Sequence, residues 1–403
     1  MEAAQLQRLH AGRVFVFGTG DAGELGLGED MLERKKPMPL RALDGESICD
    51  IVCGGMHTLA LTKTGKLWSW GCNDEGALGR QGDEYEPGLV EALKDVVIVK
   101  VACGDSISLA LSDQGKLFCW GTFRSTQGAF GFSPSQAVQR EPVLYPYLAK
   151  ETFVDIAAGS DHCLALTTTG RVFVWGNGQQ FQLGRRLIER RQRNSLIPEP
   201  LALRHIVTIG CGSYHSFAVS RDNTLYVWGL NNFQQCGLMQ DPQDKQPLED
   251  IITTPTVVTG LQGKGQIKKV VAGEHHSLVL MEHGAVYAFG RADAGQLGLS
   301  EKIIEEAQVD SGEASHKKAI GYPIQIPTLS QIVDIASGGN HVVAAAHNGT
   351  AYAWGFGAQY QLSNGTGEDE MEPIVLSGQK IEGLKIRRVA AGGNFSVIIA
   401  TDI

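Results

Sequence analysis

The chain has 403 residues, eight cysteines and a formal charge of −9, from 44 acidic against 35 basic side chains. That balance argues against bulk attraction to nucleic acid, and no run reaches the roughly eighteen apolar residues a membrane helix needs. The first stretch, MEAAQLQRLHAGRV, has no apolar secretory core, so a soluble intracellular protein with reduced cysteines is expected. Cys53, Cys103 and Cys211 sit beside glycines and no pair of cysteines has metal-ligand spacing, so they read as small buried hydrophobes.

The first predicted element is the strand RVFVFG, and one pattern then recurs down the chain. Its clearest copy, residues 154–184, reads VDIAAGSDHCLALTTTGRVFVWGNGQQFQLG. Alternation over runs of about five residues bounded by glycine signals strands, not helices. An aromatic-Gly pair recurs at Phe17-Gly18, Trp70-Gly71, Trp120-Gly121, Trp175-Gly176, Trp228-Gly229, Phe289-Gly290 and Trp354-Gly355. A Gly-x-x-His motif or a variant recurs at Gly54, Gly104, Gly159, Gly212, Gly273, Gly338 and Gly392. The spacing, roughly 50 to 65 residues, is that of a four-stranded propeller blade, so an all-β, seven-bladed β-propeller in a single domain is predicted.

The chain starts on an aromatic-Gly strand with no Gly-x-x-His motif before it and ends on RVAAGGNFSVIIATDI with no aromatic-Gly strand after it. The two ends complete each other, which predicts a ring closed by pairing of N- and C-terminal strands, with residues 1–10 a short extension. Each strand after Gly-x-x-His runs to a hairpin such as Thr64-Gly65 or Thr169-Gly170 and returns antiparallel. The Gly-x-x-His turns and the loops after aromatic-Gly therefore share one face of the disc. Longer polar connections at residues 80–93, 134–148, 185–203, 239–260 and 300–322 read as exposed loops.

In a repeat protein, residues present in every copy build the fold, so function is sought where one copy departs. Five of the loops after aromatic-Gly have one length, and the third, residues 121–131 (GTFRSTQGAFG), is longer by two. Its Phe123, Arg124, Ser125, Thr126, Gln127, Gly128, Ala129 and Phe130, with Phe132 nearby, suggest a protruding finger that enters a partner. Between Gly and His, charge or imidazole is confined to Asp105, Asp161 and the Glu274-His275 pair, a set suited to a basic partner; Asn340 and Asn394 hold equivalent places. The repeat histidines His57, His162, His215, His276 and His341 read as structural, each bonding the backbone of a neighbouring blade, with Ile107 and Phe395 as departures.

Other signals are discounted. The Gly18-Thr-Gly20-Asp-Ala-Gly23 match to a dinucleotide fingerprint has no crossover helix after it and falls on a repeated loop. His275-His276 lacks helical spacing and a third ligand, so no metal is expected, and no nucleophile arrangement stands out. Arg185, Arg186, Arg190, Arg191 and Arg193 cluster in one connection and are a candidate contact for chromatin, an acidic protein or an import receptor.

With these residues in view, the chain resembles the regulator of chromosome condensation family, in particular the guanine-nucleotide exchange factor of the small GTPase Ran. Beyond the blades, the stretches GDAGELGLGEDMLERKKP, GGMHTLAL and WGCNDEGALGR are similar to that factor. The resemblance implies that Asp105, Asp161 and His275 face the GTPase and that residues 121–131 are the family's β-wedge. It further implies promotion of GDP/GTP exchange on Ran by wedge insertion and stabilisation of the nucleotide-free GTPase, without covalent chemistry or cofactor. A nuclear, chromatin-associated monomer supporting nucleocytoplasmic transport and spindle assembly follows, with nucleosomes or histones as further partners and weak or no direct DNA binding. Two features depart from the family: Phe395 stands where a partner-facing His is usual, and the first ten residues lack a basic tail. The competing class is a non-catalytic propeller scaffold; the Gly-Trp-Arg-His-Thr motifs of the plant ultraviolet receptor are absent.

Overall fold

The computed structural model describes residues 11–187, 189–240, 249–307 and 318–402, without the side chains of 189–191. Within them the repeat folds into seven four-stranded antiparallel sheets. Blades 1 to 6 cover residues 48–89, 98–144, 153–200, 206–257, 267–325 and 332–375. The remaining sheet joins Glu33–Pro39 and Arg13–Thr19 to Phe395–Asp402 and Leu384–Ala391, with Arg13 opposite Ala400 and Gly18 opposite Phe395. The two ends of the chain thus close one blade, as their complementary motifs predict. The short extension expected at residues 1–10 lies outside the described residues.

Because the blades stack face to face, the core lies between them. The second strand of each of blades 1 to 6 is buried along its whole length, as in His57–Thr62, so its alternation is one of large against small residues, not apolar against polar. Between blades 1 and 2, Leu59, Leu61 and Leu67 meet Val101, Ala110 and Trp120. Burying five tryptophans in such seams requires partners for their N–H groups. Trp70 donates to Glu24 O at 2.9 Å, Trp120 to Ala77 O at 2.7 Å, Trp228 to Gln182 O at 2.8 Å and Trp354 to Gln296 O at 3.2 Å, each on the preceding loop. Gly79 shows why that loop ends on glycine: it has φ +66°, and a Cβ there would come within 2.7 Å of the Trp120 indole.

The repeat histidines are structural, but their bond goes to a hydroxyl and only then to backbone. His57, His162, His215 and His341 place Nε2 2.8, 2.7, 2.8 and 2.9 Å from Oγ of Ser108, Ser216, Ser277 and Ser396 in the next blade. Those hydroxyls donate back to Ala77 O, Gln182 O, Gln235 O and Gln361 O, so the imidazole N–H sits on Nε2 and each seam is clipped shut. His276 uses Ser337, at 3.0 Å. Burial holds His57 and His341 down at about 4 and His162 and His276 at about 3, so all four stay neutral. In blade 2 both partners are replaced, by Ile107 and Cys163, which lie in one apolar cluster with Phe123 of the lengthened loop.

The innermost strand of every blade carries a register shift, after its first residue in blades 1 to 6, as between Ile98 and Lys100 or Ile332 and Asp334, and after Ile386 in the closing blade. Such a bulge re-aims the next side chain. Here it turns Lys100, Asp155, Thr208, Lys269, Asp334 and Arg388 into a central channel of about 1200 Å³, with Asp50 in the same register. The belt alternates in sign: Lys100 pairs with Asp155, Lys269 with Asp334 at 2.8 Å and Arg388 with Asp334 at 3.9 Å.

Two connections depart from the exposed loops expected of them. Residues 301–307 form a helix whose Ile304 and Ala307 are buried against blades 5 and 6. Glu189–Leu196 forms a 3-10 turn with Ser195 and Leu196 fully buried.

Candidate functional site

On one face, the N–H of each residue after aromatic-Gly donates to the carbonyl of the residue before the repeat His position. Cys72 bonds Met56, Thr122 bonds Ser106, Asn177 bonds Asp161 and Arg291 bonds His275, at 2.7–2.9 Å. The turns are stitched to one another as well, through Asp105 N to Ser160 O, Ser213 N to Gly273 O and Glu274 N to Gly339 O, at 2.8–3.0 Å. A rigid rim results around the channel mouth, and the residues singled out by asymmetry stand on it.

The long loop of blade 2 rises from this rim as a two-stranded ribbon, Phe123–Ser125 against Gly128–Gly131, with Thr126 and Gln127 at the tip. Arg124, Thr126, Gln127 and Ala129 are exposed, and Ser125, Gly128 and Phe130 are half-buried. Phe123 and Phe132 are fully buried in the seam between blades 2 and 3. The aromatic content expected to reach a partner is therefore partly anchor: Phe123 roots the ribbon and presents no face outward.

Asp161 lies directly against the ribbon, its carboxylate accepting the Arg124 N–H at 2.5 Å. Burial pushes its pKa up to about 7, the Arg124 N–H opposes that, and neighbouring Asp105 adds to the rise. Asp105 is open to solvent yet surrounded by protein, which raises its carboxyl above the usual range; its bond to Ser160 opposes this and Glu274 adds to it. The hydroxyl of half-buried Tyr214 is raised by burial and then by Glu274, Asp105 and Asp161, so these groups share one field across the mouth.

His275 is half-buried and packs on Phe233 with centroids 4.7 Å apart, while Gln235 Nε2 lies 3.4 Å from its Nδ1. Arg291 covers the other ring contact of that stack, 5.0 Å from the Phe233 centroid, and is itself held by Asp293 at 2.7 Å. Asn340 bridges the site, its Nδ2 3.3 Å from Glu274 and its Oδ1 3.4 Å from Gln296. Asn394 is exposed on the same rim and bonds Thr19 through its carbonyl.

Sequence reasoning missed Asn177, Phe233 and Arg291. Asn177 and Arg291 follow an aromatic-Gly pair whose other copies are followed by Thr19, Cys72, Thr122, Leu230 and Phe356. The one-copy test applied a single position further along would have found them.

The basic connection is only partly a free cationic surface. Arg185 is mostly buried and pairs with Glu199 at 3.2 Å, and Arg193 donates to Phe130 O of the ribbon at 3.3 and 3.4 Å. Arg186 is exposed, and the side chains of Arg190 and Arg191 lie outside the described residues. Among the described residues no group of three or more His, Cys, Asp or Glu is arranged to hold a metal ion.

The family model for an RCC1-like domain matches residues 13–398. Protein pim1 of Schizosaccharomyces pombe is 38% identical over 96% of this chain and 74% of its own length. The guanine nucleotide exchange factor SRM1 of Saccharomyces cerevisiae is 36% identical over 95% of this chain and 86% of its own. The crystal structure of Prp20p from Saccharomyces cerevisiae, described with its binding properties to Gsp1p and histones, superposes with a TM-score of 0.92 at 36% identity, covering 100% of this chain and 95% of that one.

Proposed function

The chain belongs to the regulator of chromosome condensation family, and on that premise we propose that it is a guanine-nucleotide exchange factor for a Ran-type small GTPase. The observation that carries the reading is the ribbon of residues 123–131 rising from the same rim as Asp105, Asp161, Glu274 and His275. Only blade 2 has its loop lengthened there, with Asp105 and Asp161 beside the ribbon and Glu274 and His275 on blade 5 across the mouth.

The ribbon acts as a wedge against the GTPase's phosphate-binding region, displacing contacts to phosphate and its cation. Asp105 and Glu274 receive basic groups that the departing nucleotide uncovers, and His275, set by Phe233 and Gln235, contacts the docked GTPase. No bond is made or broken by the protein. If the propeller weakens nucleotide binding by some factor, nucleotide weakens propeller binding by the same factor, so incoming nucleotide ejects it. The direction of exchange then follows the surrounding GTP to GDP ratio. A nuclear, chromatin-associated protein fits this role, with the exposed Arg186 and its neighbouring turn as the histone contact.

The test is release of fluorescent GDP from Ran with the protein at catalytic amounts, beside an unrelated GTPase. Acceleration confined to Ran supports the reading, and unaltered release overturns it. Arg186→Glu is expected to weaken histone capture while leaving exchange unchanged.

A further inference from the structure

The wedge is built by blade 2 but gripped by blade 3. On its first strand, Asp161 accepts the Arg124 N–H at 2.5 Å and the Asn177 amide donates to Arg124 O at 3.0 Å, so both backbone polar groups of one residue are held. The orientation of Asn177 is set, because its Oδ1 already accepts the Gln179 N–H at 2.9 Å. On the second strand, the Arg193 guanidinium donates to Phe130 O at 3.3 and 3.4 Å. Arg193 stands on the turn Glu189–Leu196, which is itself fixed to blade 3 by Ser195 Oγ on Gly176 O at 2.6 Å and to blade 2 by Tyr145 Oη on Leu196 O at 3.0 Å.

A two-stranded ribbon this short is marginal in water on its own. To displace a bound ligand it must hold its direction under load, and a misplacement of about 1 Å at a reacting centre can cost about a hundredfold in rate. We infer that Asn177 and Arg193 are positioning residues for exchange, fixing the wedge's two strands from blade 3. The inference rests on the exchange-factor reading. Neither residue touches the GTPase in this scheme, so docking through Asp105 and Glu274 survives their loss while the maximal rate does not.

Asn177→Ala and Arg193→Ala are each expected to lower the maximal exchange rate about tenfold with KM for Ran within about twofold. Arg193→Lys, which keeps a donor near Phe130 O, is expected to recover part of the loss. Deuterium uptake at residues 124–131 should rise in both alanine variants, with melting temperatures near wild type. A folded double variant with wild-type maximal rate overturns the inference, and so does a KM rising in step with the fall in rate, which would mean direct contact. A control replacing residues 124–130 by a short Gly linker separates the two readings. If that control exchanges like wild type, wedge-driven exchange itself fails; if it is inactive while the clamp variants are not, only the clamp fails.

Discussion

The Asp161 carboxylate receives the backbone N–H of Arg124 at 2.5 Å, so a residue of blade 3 holds the first strand of a ribbon that blade 2 builds. Burial, the largest influence, lifts this carboxyl to about 7, with Asp105 adding and Arg124 opposing. A carboxyl whose folded pKa lies above its unfolded value near 3.9 favours the fold when protonated, and that contribution is lost as pH rises from about 4 through about 7. Ionisation meanwhile strengthens its bond to the Arg124 N–H. Wild type is therefore expected to lose thermal stability relative to Asp161→Asn over that window, while its maximal exchange rate gains an inflection near pH 7 that the variant lacks. Parallel profiles in both measurements would remove Asp161 from the wedge.

His275 is held by Phe233 at 4.7 Å and by the Gln235 amide at 3.4 Å but is not part of any seam. Replacing it by alanine is expected to cut the maximal exchange rate about tenfold and shift the melt little, since half-buried rim residues outside the core usually cost about 0.5 kcal/mol or less. Asp105→Ala is expected to act instead on KM for the GTPase, by about fivefold, through lost complementarity to a basic partner. Wild-type exchange in both folded variants would unseat this face as the docking surface.

Much of this was legible because it repeats. The aromatic-Gly pairs, the repeat histidines and the shared face follow from recurrence, and the lengthened ribbon and the rim charges from departures in single copies. The channel belt was not legible: Lys100, Asp155 and Asp334 look like solvent-side positions of ordinary strands until a bulge turns them inward. The role of Arg193 was hidden for another reason. Its partner is the Phe130 carbonyl, and a backbone acceptor leaves no trace in side-chain identity. Ile107 and Cys163 were visible singly, but only the fold pairs them across one seam.

The His-Ser clips predict non-additive stability. His162 Nε2 bonds Ser216 Oγ at 2.7 Å, and that hydroxyl bonds Gln182 O at 2.8 Å, all without access to water. Removing either partner strands a buried polar group, at a cost of about 2 kcal/mol, whereas removing both should cost little more than one alone. Exchange per folded molecule should stay unchanged in all three variants. The clips also set an acid limit. Histidines held near 3 to 4 in the fold stabilise it above their unfolded pKa near 6.5 and lose that contribution as pH falls through the folded values. Proton uptake on unfolding near pH 5 should therefore drop by about one in His162→Ala, measured from the slope of stability against pH.

Asp334 reaches the blades on both sides of its own. Its Oδ1 takes Lys269 of blade 5 at 2.8 Å, and its Oδ2 takes the Val389 N–H at 3.3 Å and faces Arg388 at 3.9 Å, both on the closing blade. One carboxylate in blade 6 thus joins both neighbours, and it is buried. Asp334→Ala would leave the Lys269 ammonium with the Ile335 carbonyl, 2.8 Å away, in place of a carboxylate, remove the charge that faces Arg388, and leave the Val389 N–H without its acceptor. Removing one partner of a buried pair typically costs about 3–5 kcal/mol, here tempered because Lys269 reaches solvent, so a loss of about 2–3 kcal/mol is expected. Asp334→Asn keeps the acceptor for Val389 and should cost less. Urea melts of the two variants check this, and a loss below about 1 kcal/mol in Asp334→Ala would show that the belt follows the closed ring instead of holding it.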